Sequence, residues 1–561
     1  MELRDRGVAG LKAALAAALL AVLLMAAPAQ AADLQRPASQ TEPPRFFERS
    51  ADEVIGLAER ADKVVQTERR VGRLEPTAYT KGPGRWQVSF FRDGEQLVQV
   101  QLDDRSGAVL EQWTGPQVAW TMARGYEGAF GRKLNAPYVW IPLCVLFLVP
   151  FVDLRRPFRL LHLDLLVLLG FGVSHIYFNR GEIDTSVPLV YPVLLYLLLR
   201  TLWAGFRPRE SGRRLVPHLP ATALVVGLVF LLSFRIGLNV VDSNVIDVGY
   251  AGVIGADRIV DGDQLYGEGF SDDVERGDTY GPLSYLSYVP FEQALPWSGR
   301  WDDLPAAHGA AIAFDLLTAA GLLLLGMRLR PGREGRMFGL ALAYAWAAYP
   351  YTAFALETNS NDALVALACV AALLALTVKP ARTRLGAAAR ALAVGMGAAA
   401  KFAPLALAPL FAVFPTRERA RVGVFAAMLV GLLALAVVPF IVDSGVRELY
   451  DRTIGYQVSR PSPFSIWGQE DLGRLHDFVK IAAAGLALAV AFYPRERGPR
   501  QMAALGAAVL IALQLTATHW FYLYVVWFVP FVLVACFGAY RQREEPAPEP
   551  EPSREREAVF A

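Results

Sequence analysis

The chain has 561 residues, 54% of them hydrophobic, with 55 Lys and Arg against 53 Asp and Glu and a formal net charge of +2. A mean hydropathy of +0.32 is too apolar for an ordinary soluble protein and suits a multi-pass membrane protein, while the near-zero charge leaves no bulk basic field for nucleic acid. Three cysteines, Cys144, Cys369 and Cys536, sit in apolar runs and offer neither a disulfide framework nor a metal-ligand spacing.

Residues 1–31 carry Arg4, Arg6 and Lys12, then the apolar run AALAAALLAVLLMAA, then a small-residue end at Ala29–Ala31. This pattern predicts a secretory signal peptide, with an uncleaved signal anchor as the alternative; either places the chain after Ala32 on the outer side of the membrane. Residues 45–115 read as a small α+β extracytoplasmic domain. Ser50 and Glu53 form an S-x-x-E capping box that opens a helix to about Arg60, and RWQVSFF, EQLVQVQL and AVLEQW alternate as strands. Asp93-Gly94 and Ser106-Gly107 supply the turns. A helix followed by an antiparallel meander ending in LDDRSGAVLEQW resembles the PepSY module, which implies a regulatory or binding unit; a plain spacer is the alternative.

From about residue 135 the sequence predicts an all-α polytopic membrane protein of about thirteen transmembrane helices. They lie near 136–153, 163–178, 186–206, 217–240, 306–327, 337–356, 361–378, 385–400, 402–414, 422–442, 475–493, 501–517 and 520–538. Several are shorter than the ~20 residues of a full span, least securely the pair flanking Lys401. Basic residues crowd alternate loops, at 155–159, 207–214, 328–336, 379–384, 417–421 and 495–500. The short loops between them hold only Arg180 and Lys401. By the positive-inside rule the basic loops face the cytoplasm, as does a disordered tail over 541–561. Two long loops, 241–305 and 443–474, then face outward, where binding and catalysis usually sit in such a chain.

An enzyme on that face has no nucleotide, so it needs an activated substrate delivered by lipid, and a lipid-linked phosphosugar fits. Transfer requires a carboxylate to take the acceptor hydroxyl proton and cations or strong donors to hold the leaving phosphate. Asp247 is the first candidate base, ahead of Asp242, Asp257, Asp261, Asp263 and Asp278, because it lies near a helix end and precedes Tyr250, an aromatic in range to stack on a sugar. From position alone a solvated loop acid is the plainer reading. Lys401, Arg447, Arg452, Arg460 and His519 are candidates for phosphate contact, with snorkelling or lipid-headgroup contact as the alternative. Asp315 lies inside a span at a depth compatible with Arg235, which predicts a structural ion pair. Glu357, Asn359, Asn361 and Asp362 crowd a short outer turn; they read as acceptor-sugar contacts or as caps of the next helix. Tyr280, Pro282, Tyr285 and Tyr288 read as a sugar platform, an amphipathic juxtamembrane piece or interfacial anchors.

The segments DVGY (247–250), ADRIVDGDQLY (256–266), TYGPLSYLSYVPFE, NSNDALVAL, KFAPLALAPL, SRPSPFSIWGQ and THWFYLYVVWFVPF occur in that order. Together they resemble the GT-C superfamily of integral membrane glycosyltransferases, most nearly the bacterial polyprenyl-phosphate-mannose-dependent mannosyltransferases, over about 217–540. The resemblance implies a hexose, mannose by preference, moved from a polyprenyl-phosphate donor to a glycan, glycolipid or protein acceptor, with inversion in a single displacement. It implies Asp247 as general base and Lys401, Arg460 and His519 as contacts to the leaving phosphate. Tyr250, Tyr266, Asn361, Asp362 and Trp467 are the candidate sugar or acceptor contacts. No cofactor is expected, and no DxD or ExD adjoins Asp247 to suggest a metal. Three accessory helices over 136–206 and the 45–115 stretch lie outside the resembling core. Rival readings are a transporter or lipid flippase, which predicts an internal repeat and midplane charges, and a non-catalytic sensor using the PepSY-like part.

Overall fold

The computed structural model describes residues 34–81, 84–125, 131–267, 270, 276–299, 304–378, 383–460 and 462–541. The signal segment 1–31 and all but the first residue of the tail 541–561 lie outside the described residues. Near the N-terminus five strands pair antiparallel in sequence order: β1 Leu34–Gln35, β2 Glu75–Lys81, β3 Arg85–Arg92, β4 Glu95–Asp103 and β5 Val109–Thr114. Trp86, Val88 and Phe90 stand opposite Leu102, Val100 and Val98, so the strand alternation gathers one apolar face. That face is buried together with Ala51, Val54, Ala58 and Val64 of helices Ala51–Ala58 and Asp62–Val71. Ser50 caps the first helix, its hydroxyl accepting from the Glu53 N–H while the Glu53 carboxylate accepts from the Ser50 N–H. The second helix, β1 and β2 go beyond the one helix and three strands read from the sequence; in β2, Pro76 interrupts the alternating pattern.

The rest of the chain is a helical bundle. Among the described residues, five helices are long and apolar enough to cross a membrane: Leu160–Phe178, Ile183–Phe206, Ala221–Asp242, Pro305–Leu329 and Arg419–Val442. Pro137–Leu148, Asp362–Ala375, Ala403–Ala412, Pro499–Leu515 and Tyr522–Phe537 are apolar but shorter. Of the thirteen expected spans, five are matched by helices of full length and the others by shorter or broken helices. Proline accounts for part of the difference, because it removes a backbone donor and clashes with the preceding turn. The run expected at 337–356 breaks between helices Gly332–Ala348 and Pro350–Glu357. The one at 402–414 divides into a 3₁₀ turn, Ala403–Leu407, and the five-residue helix Ala408–Ala412.

The break at Pro350 explains the best-buried ion pair. Without an N–H at position 350, the Trp346 carbonyl loses its helical donor; Arg235 Nη1 donates to the Trp346 and Ala347 oxygens, both at 3.1 Å. Its Nη2 reaches Asp315 Oδ1 at 2.6 Å, which also accepts from Trp346 Nε1 at 2.8 Å. The expected Arg235–Asp315 pair is thus present and is part of a helix-break cap. Arg235→Met leaves a buried carboxylate without its cation and should cost about 3–5 kcal/mol, read as a lower thermal midpoint in detergent. Adding Asp315→Leu should recover part of that loss. At the other end of the bundle Arg330 donates to the Gly538 and Tyr540 carbonyls, each at 2.8 Å, and Arg500 to the Ala535 carbonyl at 2.9 Å. Some basic loop residues therefore satisfy helix C-termini.

The stretch 241–305, read as a loop, holds three helices among its described residues: Asp247–Asp261, Pro282–Leu286 and Val289–Ala294. Glycine disfavours helix, yet Gly249, Gly252 and Gly255 recur every third residue and line one face of the Asp247 helix. A Cβ would sit 2.8 Å from the Tyr288 ring at Gly252 and 2.2 Å from the Tyr285 ring at Gly255. Tertiary packing against these tyrosines compensates for the low propensity.

Candidate active site

Asp247 is the first residue of its helix, and Ile246 N donates to the Thr358 carbonyl at 3.0 Å. The turn that receives it is fixed by Asn359, whose amide donates to Ser243 Oγ at 3.1 Å and the Asn244 carbonyl at 3.0 Å and accepts from Asn239 at 2.9 Å. Gly249 makes this approach possible, since a Cβ there would lie 2.2 Å from the Asn359 carbonyl. Gly249→Ala should push the helix off the turn and displace Asp247. If Asp247 is catalytic, activity should fall about 100-fold or more, the scale of a 1 Å misplacement, with the protein still folded by circular dichroism.

A second close approach positions Lys401. Gly281 N donates to the Ala400 carbonyl at 3.0 Å, and a Cβ on Gly281 would lie 2.1 Å from the Ala399 carbonyl. This brings Tyr280 to the C-terminus of helix Arg384–Ala400. There the Lys401 ammonium lies 5.0 Å from the Tyr280 ring centroid, 5.9 Å from Tyr524 and 5.5 Å from Trp527. Asp362 closes the cage: its Oδ1 accepts from Lys401 Nζ at 2.6 Å and from Trp527 Nε1 at 2.8 Å. Lys401 is 6% and Asp362 1% exposed, so neither is a surface charge, and a snorkelling reading of Lys401 does not hold.

Arg460 and Lys401 both act on the Asp247 carboxyl, and both act on His519. Asp247 is exposed to solvent, yet many protein groups surround its carboxyl. Burial pushes its carboxyl above the usual carboxylate range; Arg460, the Val248 N–H and Lys401 pull it down, and Asp362 adds to the rise. His519 is pushed down to about 3, first by burial and then by the two cations. It is neutral near pH 7 and bonds Ser462 Oγ through Nδ1 at 2.8 Å. A base of this kind works only as carboxylate, so transfer should fall on the acid side with a midpoint above the ordinary ~3.9 of aspartate. His519 should add no inflection near pH 6.5. A pH–rate profile from pH 4 to 8 checks both.

Among the described residues no ion pair holds Arg460, whose guanidinium lies 5.7 Å from the Tyr456 ring centroid. The other basic candidates are placed differently. Arg452 Nε binds the fully buried Asp278 at 2.6 Å, so these two candidates pair with each other. Arg447 is exposed and faces Asp451 at 3.7 Å. Asp242 pairs with Lys133 at 3.4 Å.

Of the aromatic candidates, Tyr250 and Tyr266 are buried and Trp467 is partly exposed. Tyr250 is 1% exposed and meets Trp297 edge-on at 6.0 Å, so no ring face is open to a sugar. Tyr266 is fully buried and donates to the Tyr280 carbonyl at 2.8 Å. Trp467 stacks on His476 at 4.5 Å and donates to the Leu515 carbonyl at 2.9 Å. Asn361 is 1% exposed, and neither side-chain atom has a hydrogen-bond partner. The cage residues Tyr280, Tyr524 and Trp527 were missed as a group. The sequence signal for them was the aromatic density of TYGPL and THWFYLYVVW together with a lysine, Lys401, between two apolar runs.

No curated protein matches the chain. It is similar to the crystal structure of ArnT from Cupriavidus metallidurans bound to undecaprenyl phosphate, with 17% identity and a TM-score of 0.40 over 57% of this chain and 60% of that one. The apo structure of the same protein gives 16% identity and a TM-score of 0.39 over the same shares. The chain thus spans about three fifths of the ArnT length. Residues 279–548 match the model of glycosyltransferase family 87, a stretch that includes Lys401, Arg460 and His519 and begins after Asp247.

Proposed function

We propose that the chain is an integral membrane glycosyltransferase that moves a hexose, mannose by preference, from a polyprenyl phosphate to an extracytoplasmic glycan, glycolipid or protein. The observation that carries this reading is the family 87 match over residues 279–548, which hold Lys401 and Arg460; the pull of both cations on the Asp247 carboxyl supports it. Asp247 takes the proton of the acceptor hydroxyl as its oxygen bonds to the anomeric carbon. The carbon–oxygen bond to phosphate breaks on the opposite face, so the configuration inverts. The bonding pair stays on the phosphate oxygen, where Arg460 and Lys401 meet the growing charge. The raised proton affinity of Asp247 suits this task, because a better base takes the proton earlier. In this reading the basic loops and the tail are cytoplasmic, and the 45–115 stretch is a PepSY-like unit on the same face as the site.

The test uses full-length protein in lipid nanodiscs with a panel of polyprenyl-phosphate sugars and crude cell-envelope acceptor. Label should pass from polyprenyl-phosphate-mannose faster than from the other donors. Transfer from none of them, with lipid or solute movement observed instead, would favour the transporter reading.

A further inference from the structure

We propose that Trp120 is a positioning residue for the Arg460–His519 side of the site, so that residues outside the family 87 stretch complete it; this deepens the functional reading above and rests on it. The segment that follows Arg460 has little structure of its own. Its one helix, Ile466–Gln469, is four residues long, so other parts of the molecule must hold it in place. Part of that support comes from the matched stretch. Ser462 bonds His519, and Ser465 Oγ donates to the Thr518 carbonyl at 2.7 Å.

Further support comes from residues before the matched stretch. Phe464 is 1% exposed. Trp120 packs on it edge-on at 4.9 Å and Phe178 at 5.4 Å, while Phe464 itself lies 5.5 Å from the His519 ring. Ile466 N donates to Tyr191 Oη at 3.1 Å, and Gln469 Nε2 to the Ile183 carbonyl at 3.3 Å. Phe178, Ile183 and Tyr191 belong to the first two long helices. Trp120 belongs to the connection from the N-terminal sheet.

Trp120 is itself fixed. Gln117 donates to the Ala123 carbonyl at 3.0 Å and the Asn179 carbonyl at 3.2 Å. Arg124 donates to the Gln117 carbonyl at 2.7 Å and to Gln99 of β4 at 3.0 Å. A continuous set of packed and hydrogen-bonded groups therefore runs from the sheet to the ring beside His519. Contiguity alone does not establish coupling, so the test must read the segment directly.

The test compares wild type, Trp120→Ala and Trp120→Phe as full-length protein in nanodiscs. Amide hydrogen exchange over 462–469 reads local opening without reference to activity. It should quicken in Trp120→Ala and return towards wild type in Trp120→Phe, which keeps a ring on Phe464. An edge-to-face pair contributes about 0.5–1.5 kcal/mol, so the donor KM should rise by up to about tenfold while the acceptor KM stays put. Unchanged exchange over 462–469 in Trp120→Ala overturns the proposal. So does a parallel loss of thermal midpoint and of both KM values that Trp120→Phe does not repair, since that marks a merely structural role. If wild type turns over no donor, the functional reading fails separately and the exchange result alone decides whether Trp120 holds the segment.

Discussion

Asp247→Asn should lower transfer by about 10²–10⁴-fold, the usual loss when a general base is removed. The amide keeps the size of the carboxylate and can still accept the Val248 N–H, so the helix start should remain folded and donor binding should change little. The loss should fall on kcat, because proton removal matters at the transition state and not in the bound ground state. Asp247→Glu should recover only part of it, since one added methylene moves the carboxylate past the position that Gly249 and the Asn359 turn define. Rapid-quench kinetics with donor in excess measures these effects. A kcat unchanged within about twofold would remove Asp247 from the mechanism.

Lys401→Met should be nearly as severe for a different reason. It strips the cation from a buried pair 2.6 Å long and leaves Asp362 with Trp527 and Ser360 as its remaining partners. Breaking such a pair costs about 3–5 kcal/mol, and the three rings around the ammonium lose a desolvated cation that each holds by about 0.5–2 kcal/mol. Lys401→Arg is not a conservative repair, because the planar fork needs more room than a compact ammonium. The informative variant is Lys401→Met with Asp362→Asn. It removes both charges, so stability should recover, while transfer should stay low if Lys401 also meets the leaving phosphate. Recovery of both thermal midpoint and activity would make Lys401 purely structural.

The parts of the site legible in the sequence were those that break a local rule. Lys401 and Arg460 are cations where the charge pattern disfavours them, and His519 sits at the head of an apolar run; both cations bear on the His519 ring. The parts that were not legible depend on distant pairing. Asp362 lies 39 residues from Lys401 and 165 from Trp527, so no local periodicity connects them. Asp362 was read as a sugar contact because its turn is rich in polar residues, yet its oxygens are occupied by Lys401, Trp527 and Ser360. Tyr250 was read as a platform because it follows Asp247 by three residues; a helix through that stretch turns it inward instead. The helix lay within a stretch read as a loop, and the spacing of its glycines every third residue was the signal that a neighbouring surface comes close. Proline breaks the apolar runs at 337–356 and 402–414 into shorter helices, which a count of apolar runs does not register.

Transfer of radiolabelled mannose from polyprenyl-phosphate-mannose by full-length wild-type protein, with Asp247→Asn measured in parallel, tests the central claim most directly. Label should pass to envelope acceptor with release of polyprenyl phosphate in wild type and stop in the variant. Equal transfer by both proteins, or none by wild type with every donor and acceptor supplied, would contradict a glycosyltransferase built on Asp247, Lys401 and Arg460.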